Sequence, residues 1–257
     1  TLTGTSINTQ SALAGGGNAL TIMGAADIDG AFSGITNLSV SGASNMGANI
    51  TTSGTQTYAG AVTLSGGDRT LTATTVNTQS TLAGGSNALT ITGAADIDGA
   101  FTGITNLSVS GTSNIGANVT TSGTQTYAGA VTLSGGDRTL TGSTINTQST
   151  LAGSSNALTI IGAADIDGAF TGLTNLSVSG TSNIGANITT TGTQTYAGAV
   201  TLSGGDRVLT GSTVNTQSTL AGGSNALTIT GAADIDGAFT GLTSLSVSGT
   251  SNIGANV

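Results

Sequence analysis

The nine residues "GAADIDGAF" stand at 24–32, 93–101, 162–170 and 231–239, and each copy carries two aspartates one residue apart. Asp96 and Asp98 form the pair in the second copy. This spacing resembles part of a calcium loop, because Ca²⁺ prefers several carboxylate and carbonyl oxygens. The chain has no Glu, however, so the bidentate ligand that closes an EF-hand loop is missing. We expect outward, solubilising aspartates, with calcium binding as the alternative.

Paired carboxylates also serve glycosidases, in which two carboxyl groups flank one substrate in a cleft. A pair that recurs in four near-identical copies gives no sign of a unique cleft. The chain also lacks His and Cys, which excludes a histidine general base, a Ser-His or Cys-His pair and an ordinary zinc site. We therefore predict that the protein is not an enzyme, and we assign no catalytic, cofactor-binding or metal-ligating residue.

Thr-x-Thr motifs such as Thr90 and Thr92 suggest a flat, ice-matching face. The position of Thr92 holds Met23 in the first copy and Ile161 in the third, which a lattice-matching face would not tolerate. Ice binding is therefore kept as an alternative function only.

Two further groups of residues could do chemistry. The tyrosines are expected in an inward column, each with its hydroxyl reaching the edge, and a sugar-stacking platform is the alternative: Tyr58, Tyr127 and Tyr196. Asp137 and Arg138 stand in "SGGDR", which predicts a turn with a local ion pair worth less than about 1 kcal/mol.

The charge balance excludes one large class of partners. The net charge is −8, and the three arginines are the only cationic side chains. Nucleic-acid binding is therefore not expected, since nothing is available to neutralise phosphates. No apolar run approaches the roughly 20 residues that span a bilayer, so no direct membrane insertion is expected. The sequence starts and stops inside its repeating pattern, and we expect it to be an interior part of a longer chain.

A long repeat organises the whole sequence. "TQTYAGAVTLSGGDR" begins at Thr55, Thr124 and Thr193, so the period is 69. This period divides one continuous domain, 1–257, into the units 1–69, 70–138, 139–207 and a truncated 208–257. Such a period indicates a repeat architecture.

A shorter offset of 18 aligns the apolar positions within a unit. It produces two columns: Ile91, Val109, Tyr127 and Ile145, and Ile97, Ile115, Leu133 and Leu151. Around them apolar and polar residues alternate with a period of two, which is typical of strands. The sequence therefore predicts an all-β fold, a parallel β-solenoid (β-helix) in which 69 residues make about four coils of 18, 18, 18 and 15 residues.

The stretches "TTSGTQTYAGAVTLSGGDRTLT" and "GGSNALTITGAADIDGAF" resemble the repeat arrays of filamentous-haemagglutinin-like exoproteins and autotransporter-type adhesins of Gram-negative bacteria. The resemblance covers the whole chain in style. It implies a right-handed β-helical stalk at the bacterial cell surface, in adhesion or matrix building.

The sequence thus predicts the structural repeat region of a secreted or cell-surface fibre. Its alternatives are an ice-binding β-solenoid and a calcium-stiffened adhesin module. The expected partners are other copies of the chain, by end-to-end stacking or lateral bundling, and host or matrix glycans or proteins. The expected location is extracellular or on the bacterial surface.

Overall fold

The computed structural model describes residues 1–254, and every regular element within them is a β-strand. The chain divides into two compact units, 1–129 and 130–257. Gly, Thr, Ser and Asn dominate both units and disfavour helices, whereas the evenly spaced Val, Ile and Leu favour strands.

The first unit contains strands of 3 to 16 residues separated by short corners. They are β1 (Leu2–Thr9), β2 (Leu13–Ile28), β3 (Phe32–Val40), β4 (Ser44–Met46), β5 (Ile50–Thr52), β6 (Thr55–Tyr58), β7 (Val62–Leu64), β8 (Arg69–Thr78), β9 (Leu82–Ile97), β10 (Phe101–Val109), β11 (Ser113–Ile115), β12 (Val119–Thr121) and β13 (Thr124–Tyr127).

The second unit repeats this series of strands. They are β14 (Val131–Leu133), β15 (Arg138–Thr147), β16 (Leu151–Ile166), β17 (Phe170–Val178), β18 (Ser182–Ile184), β19 (Ile188–Thr190), β20 (Thr193–Tyr196), β21 (Val200–Leu202), β22 (Arg207–Thr216), β23 (Leu220–Ile235), β24 (Phe239–Val247) and β25 (Ser251–Ile253).

Within each unit the strands pair in parallel with strands about one coil further along the chain. In the first unit β9 pairs with β10 and β11, and in the second β16 pairs with β17 and β18. One coil takes about 19 residues. The predicted all-β parallel β-solenoid is therefore confirmed.

The predicted columns are confirmed in part. Ile91 lies next to Val109, which lies next to Tyr127, and Ile97 lies next to Ile115. The step from Ile115 to Leu133 holds at the equivalent positions, where Met46 pairs with Leu64 and Ile184 with Leu202. The last step of each column was wrong. Leu151 pairs with Val131 rather than with Leu133.

In the other copies, the residue stacked on the tyrosine is a threonine. Tyr58 pairs with Thr78, and Val76, which occupies the position of Ile145, pairs with Gln56. Both displacements follow the "SGGD" loop, which lengthens its coil. The predicted short fourth coil is therefore corrected to a longer one, because Ile50 pairs with Leu71 and Val62 with Leu82.

One inward column of the first unit gives the true coil lengths. It runs Ile22, Val40, Tyr58, Thr78 and Ile97, in sequence steps of 18, 18, 20 and 19. Four coils therefore extend from Ile22 to Ile97, whereas one sequence repeat ends earlier, at Ile91. The second unit has the same steps from Ile160 to Ile235.

The sequence repeat thus occupies about three and two-thirds coils, in agreement with the predicted number of about four, but it is not a whole number of coils. The copy of Ile22 one repeat later is Ile91, and Ile91 belongs to a different column, over Leu71 and Ile50. In the first unit, the second repeat therefore places its residues about a third of a coil away from those of the first. A residue and its copy there lie in different columns instead of forming one stripe.

The core lies inside the coils. In β10 the inward Phe101, Ile104, Leu107 and Val109 are at most 1% exposed. Each such side chain should contribute on the order of 1.5–3 kcal/mol by burial. The same inward pattern recurs in β3 and β17, so the core is built from the same aliphatic and aromatic positions in the first three repeats.

Close stacking at the corners requires glycine. A Cβ on Gly93 would lie 1.9 Å from the backbone oxygen of Ala73, and the φ angle of Gly93 is +126°. Few L side chains adopt that conformation, and the overlap is with rigid backbone. Gly24, Gly162 and Gly231 have the same surroundings, so this corner holds glycine in all four copies.

Candidate functional site

The first aspartate of each "DID" motif lies at the centre of a three-residue polar ladder. Asp96 Oδ2 accepts a hydrogen bond from Asn77 Nδ2 at 2.9 Å, and Asp96 Oδ1 accepts one from Asn114 Nδ2 at 2.8 Å. The two asparagines lie on the coils on either side of Asp96. We call this arrangement the Asn–Asp–Asn ladder.

The ladder recurs in every copy of the motif, with donor–acceptor distances of 2.8 to 3.0 Å. The members are Asn8, Asp27 and Asn45; Asn77, Asp96 and Asn114; Asn146, Asp165 and Asn183; and Asn215, Asp234 and Asn252. Each carboxylate therefore receives two side-chain N–H donors, one from each neighbouring coil.

This geometry suits a carboxylate that accepts hydrogen bonds better than a carboxylate that binds a cation. A cation at Asp96 would have to compete with both amide N–H groups for the two carboxylate oxygens. Within residues 1–254, no three His, Cys, Asp or Glu side chains lie close enough to one another to hold a metal ion. The aspartates were predicted to point outward, and Asp96 is half-buried beside the exposed Asp98.

Asp98 lies in a different environment from Asp96. Although its side chain is largely exposed, slight desolvation by the surrounding chain, with a further contribution from the nearby charge of Asp96, raises the pKa of the Asp98 carboxyl above its ordinary value. The second aspartate of the motif also lies against the next coil: in the first copy, a Cβ on Gly47 would be 2.6 Å from Asp29 Oδ1. The two aspartates of the pair therefore have unlike roles.

A shallow groove lies beside the ladder in each unit. Asp27, Asn45 and Thr63 contribute to it in the first unit, and Asp165, Asn183 and Thr201 in the second. The groove is thus a property of the repeated surface, lined by the same residue types at equivalent positions.

The tyrosines lie in the inward column, as predicted, but their hydroxyls do not reach the edge. Tyr58, Tyr127 and Tyr196 are 0% exposed. The hydroxyl of Tyr58 donates to Gln56 Oε1 at 2.9 Å, and Gln56 Nε2 donates to the backbone oxygens of Ile50 and Thr72 at 3.2 and 2.9 Å. Burial raises the pKa of the Tyr58 phenol far above its ordinary value.

The sequence analysis missed the buried glutamines, which are also 0% exposed: Gln56, Gln125 and Gln194. The signal was present in "TQTY", because residues two apart in a strand share one face. An inward tyrosine therefore requires an inward glutamine, and a buried amide needs partners such as the phenol. The Tyr–Gln pair satisfies the hydrogen-bonding groups of both side chains inside the core. Because Tyr58 is fully buried, its ring offers no stacking surface for a sugar.

The "SGGDR" turn forms as predicted, but the expected local ion pair was wrong, because Asp137 accepts from the Ala157 N–H and Arg138 donates to the Ser134 oxygen. Gly66 and Gly67 have φ angles of +70° and +127°. The side chains of the turn bond the backbone: Asp68 Oδ1 accepts from the Ala88 N–H at 2.8 Å, and Arg69 Nε donates to the Met46 oxygen at 3.0 Å. The turn is therefore held to the coils on both sides by charge-assisted hydrogen bonds.

The Thr-x-Thr motif covers a limited area. Thr70 and Thr72 pair with Thr90 and Thr92 on adjacent coils of the first unit. On the next coil the partner of Thr90 is Ser108. In the second unit the partner of Thr141 is Ile161, which is 48% exposed.

No protein-family model, curated protein or solved structure matches the chain. The fold is compatible with a repeat β-helix protein, and no family model or relative supports the filamentous-haemagglutinin-like or autotransporter type. Among residues 1–254 there is no helix of the length and apolarity needed to cross a bilayer.

Proposed function

We propose that the chain is the structural repeat region of a secreted or cell-surface fibre, in which stacked coils supply length. The observation that supports this is the mismatch between the sequence repeat and the coil. Because one repeat fills about three and two-thirds coils, the exposed groups of successive repeats occupy different faces. A spacer needs only stacking and can present the same mixture of groups on every side.

The same mismatch disfavours the ice-binding alternative. A lattice-matching surface must keep one residue type in one column over many coils. In this chain the exposed position of Thr92 moves to another face with each repeat, and Met23 and Ile161, which take its place, are 53% and 48% exposed. Purified protein in dilute solution should accordingly show no thermal hysteresis, and a measurable hysteresis gap would favour ice binding.

The proposed partners are other copies of the chain. Lateral bundling would use the exposed Thr, Ser and Asn side chains, and end-to-end stacking would use the backbone groups of parallel strands. Host or matrix glycans and proteins are the second class of partner, and the proposed location is extracellular or on the bacterial surface. The resemblance of "TTSGTQTYAGAVTLSGGDRTLT" to adhesin arrays supports this location.

The spacer role can be tested by removing one repeat inside the first unit. Deletion of residues 24–92 removes one whole repeat and joins Met23 to Gly93, so the sequence on both sides of the junction stays repeat-like. We expect the folded protein to shorten along the solenoid by about 18 Å, from the interstrand spacing of about 4.8 Å and three and two-thirds coils. Electron microscopy of single particles measures this length.

The matched control is deletion of residues 33–92, which is not a whole repeat and joins Phe32 to Gly93. It should disrupt stacking at the junction, seen as faster local hydrogen exchange. In the longer protein, fibre formation should persist after the 24–92 deletion with shorter projections. If the protein without 24–92 keeps its fold but no longer forms fibres, a specific repeat carries the function and the spacer role is wrong.

A further inference from the structure

Each of the first three repeats contains two Asn-x-Ser/Thr sequons, the sequence that accepts N-linked glycans. The first kind is Asn-Leu-Ser, at Asn37, Asn106 and Asn175. The second is Asn-Ile-Thr or Asn-Val-Thr, at Asn49, Asn118 and Asn187. In the fourth repeat, Ser244 replaces the asparagine of the first kind.

All six sequons present both of their polar groups to solvent. In the first, Asn37 and Ser39 are exposed and Leu38 between them is 1% exposed. In the second, Asn49 and Thr51 are exposed on either side of the buried Ile50. The period of two in a strand therefore places the amide and the hydroxyl together on the outer surface.

The hydrogen bonds separate the sequon asparagines from the others. Five of them accept a backbone N–H of the next coil through Oδ1, at 2.8 or 2.9 Å: Asn37, Asn49, Asn106, Asn175 and Asn187. A backbone nitrogen can only donate, so the side-chain oxygen must face it. The bond that fixes these side chains therefore does not use Nδ2.

The other asparagines within residues 1–254 use the opposite end of the amide. Eight donate Nδ2 to an aspartate of the ladder, and four donate it to a backbone carbonyl: Asn18, Asn87, Asn156 and Asn225. Substitution at Nδ2 would break those bonds. At the five sequon positions it would leave the fixing bond intact.

We propose that the six sequon asparagines are acceptor sites for N-linked sugars, transferred by a separate glycosyltransferase from an activated glycosyl phosphate. In the transfer, Nδ2 forms a bond to the sugar C1 and loses one proton. The bond from C1 to the donor phosphate oxygen breaks, and a nucleoside diphosphate or a lipid pyrophosphate leaves.

The arrangement of the coils gives the sugars room. Neighbouring coils are only about 4.8 Å apart, so glycans on adjacent coils of one column would collide. In the first unit, Asn37 and Asn106 are one repeat apart, which separates them by about 18 Å along the solenoid and by about a third of a turn. The mismatch between repeat and coil therefore spaces the proposed sites, a property that does not depend on the fibre role.

Trypsin provides the test, because Arg69, Arg138 and Arg207 lie at the ends of the repeats. Digestion of protein from its native source should give a fragment that ends at Arg69 and the fragments 70–138 and 139–207, each with two sequons. The fragments 70–138 and 139–207 also carry three asparagines outside sequons, which are internal controls: Asn77, Asn87 and Asn114, and Asn146, Asn156 and Asn183. We expect tandem mass spectrometry to locate the sugar on the sequon asparagines and not on these controls.

The sugar mass also distinguishes the two donors. Single hexoses indicate a nucleotide-sugar donor, and a defined oligosaccharide added as one unit indicates a lipid-linked donor. Unmodified masses for the three sequon fragments, or equal modification of the control asparagines, would overturn the proposal.

The variants Ser39→Ala and Thr51→Ala test whether the sequon directs the modification. Both remove an exposed hydroxyl and keep the asparagine, so stability should change by no more than about 0.5 kcal/mol. Each variant expressed in the native source should remove one glycan from 1–69 and leave 70–138 as an internal control. Undiminished modification of 1–69 in both variants would contradict the proposal.

Discussion

The substitution Asp96→Asn tests what the Asn–Asp–Asn ladder contributes. Asp96 accepts amide N–H bonds from Asn77 and Asn114 at 2.9 and 2.8 Å. An asparagine offers one acceptor oxygen, so one of the two amides would then face another N–H₂ group. A hydrogen bond to a charged group contributes about 1.5–3 kcal/mol and a neutral one about 1. At the lower limit, which suits a half-buried site, two bonds of about 1.5 kcal/mol are replaced by one of about 1 kcal/mol, so the local stability falls by about 2 kcal/mol.

Local hydrogen exchange is the suitable assay, because a solenoid need not unfold in a single step. A loss of about 2 kcal/mol corresponds to about a 30-fold loss of protection, at about 1.36 kcal/mol per factor of ten. Peptides that cover 93–101 should show it. The same motif at 24–32, in a peptide distinguished by Met23, should keep its protection and is the internal control.

The matched variant is Asp98→Asn, which removes the same charge two residues away. The pKa of Asp98 is raised by slight desolvation and by the charge of Asp96, so its ionised form is disfavoured in the folded state. Removing that charge should leave protection at neutral pH unchanged or slightly higher. Equal losses of protection in the two variants would refute the ladder argument, since charge alone would then account for both.

Three other expectations follow from the same contacts. Tyr196→Phe leaves the Oε1 atom of the buried Gln194 without its donor at 2.9 Å and should lower the free energy of unfolding in urea by about 1–2 kcal/mol; an unchanged midpoint would argue against the Tyr–Gln pair. Gly93→Ala and Gly67→Ala both force a residue into φ near +126°, but only at Gly93 does the added Cβ meet backbone, at 1.9 Å. Circular dichroism should show a cost of about 1–3 kcal/mol in the free energy of unfolding for Gly67→Ala and misfolding for Gly93→Ala. Equal behaviour of the two variants would contradict the corner packing. Because the pKa of Asp98 is raised in the folded state, the folded state binds more protons than the unfolded state between the two pKa values, so stability falls as pH rises through that acidic window. Asp98→Asn should remove this part of the pH dependence of Tm. An identical pH profile of Tm in the variant would show that Asp98 is not its source.

The sequence predicted the β-solenoid because its strongest signal is local. Ile91, Val109 and Tyr127 lie on successive coils at a constant offset of 18, and the alternation around each is that of a strand. It could not predict the following step. Thr78, which is 1% exposed, occupies the column between Tyr58 and Ile97 and interrupts the apolar pattern where the coil length changes.

The ladder shows a second limit of sequence reasoning. The outward direction of Asp96 and the stacking of Asn114 on it follow from the offset of 18 between them. The other partner, Asn77, precedes Asp96 by 19 positions, so it becomes visible only when this coil is known to be one residue longer than the offset of 18. Two donors rather than one neighbour change the interpretation of the carboxylate, from a solubilising side chain to an anion bound by amides on both sides, and they disfavour the calcium alternative.

The mismatch between repeat and coil also decides how charge is distributed. If one repeat filled four whole coils, the aspartates of successive repeats would stack in one column. Instead Asp27 lies in the column of Asn45 and Thr63, whereas Asp96 lies in the column of Asn77 and Thr57. The two ladder aspartates of the first unit therefore lie in different columns, which limits repulsion between them. Near-identical repeats can in this way lengthen the solenoid without building a single acidic face.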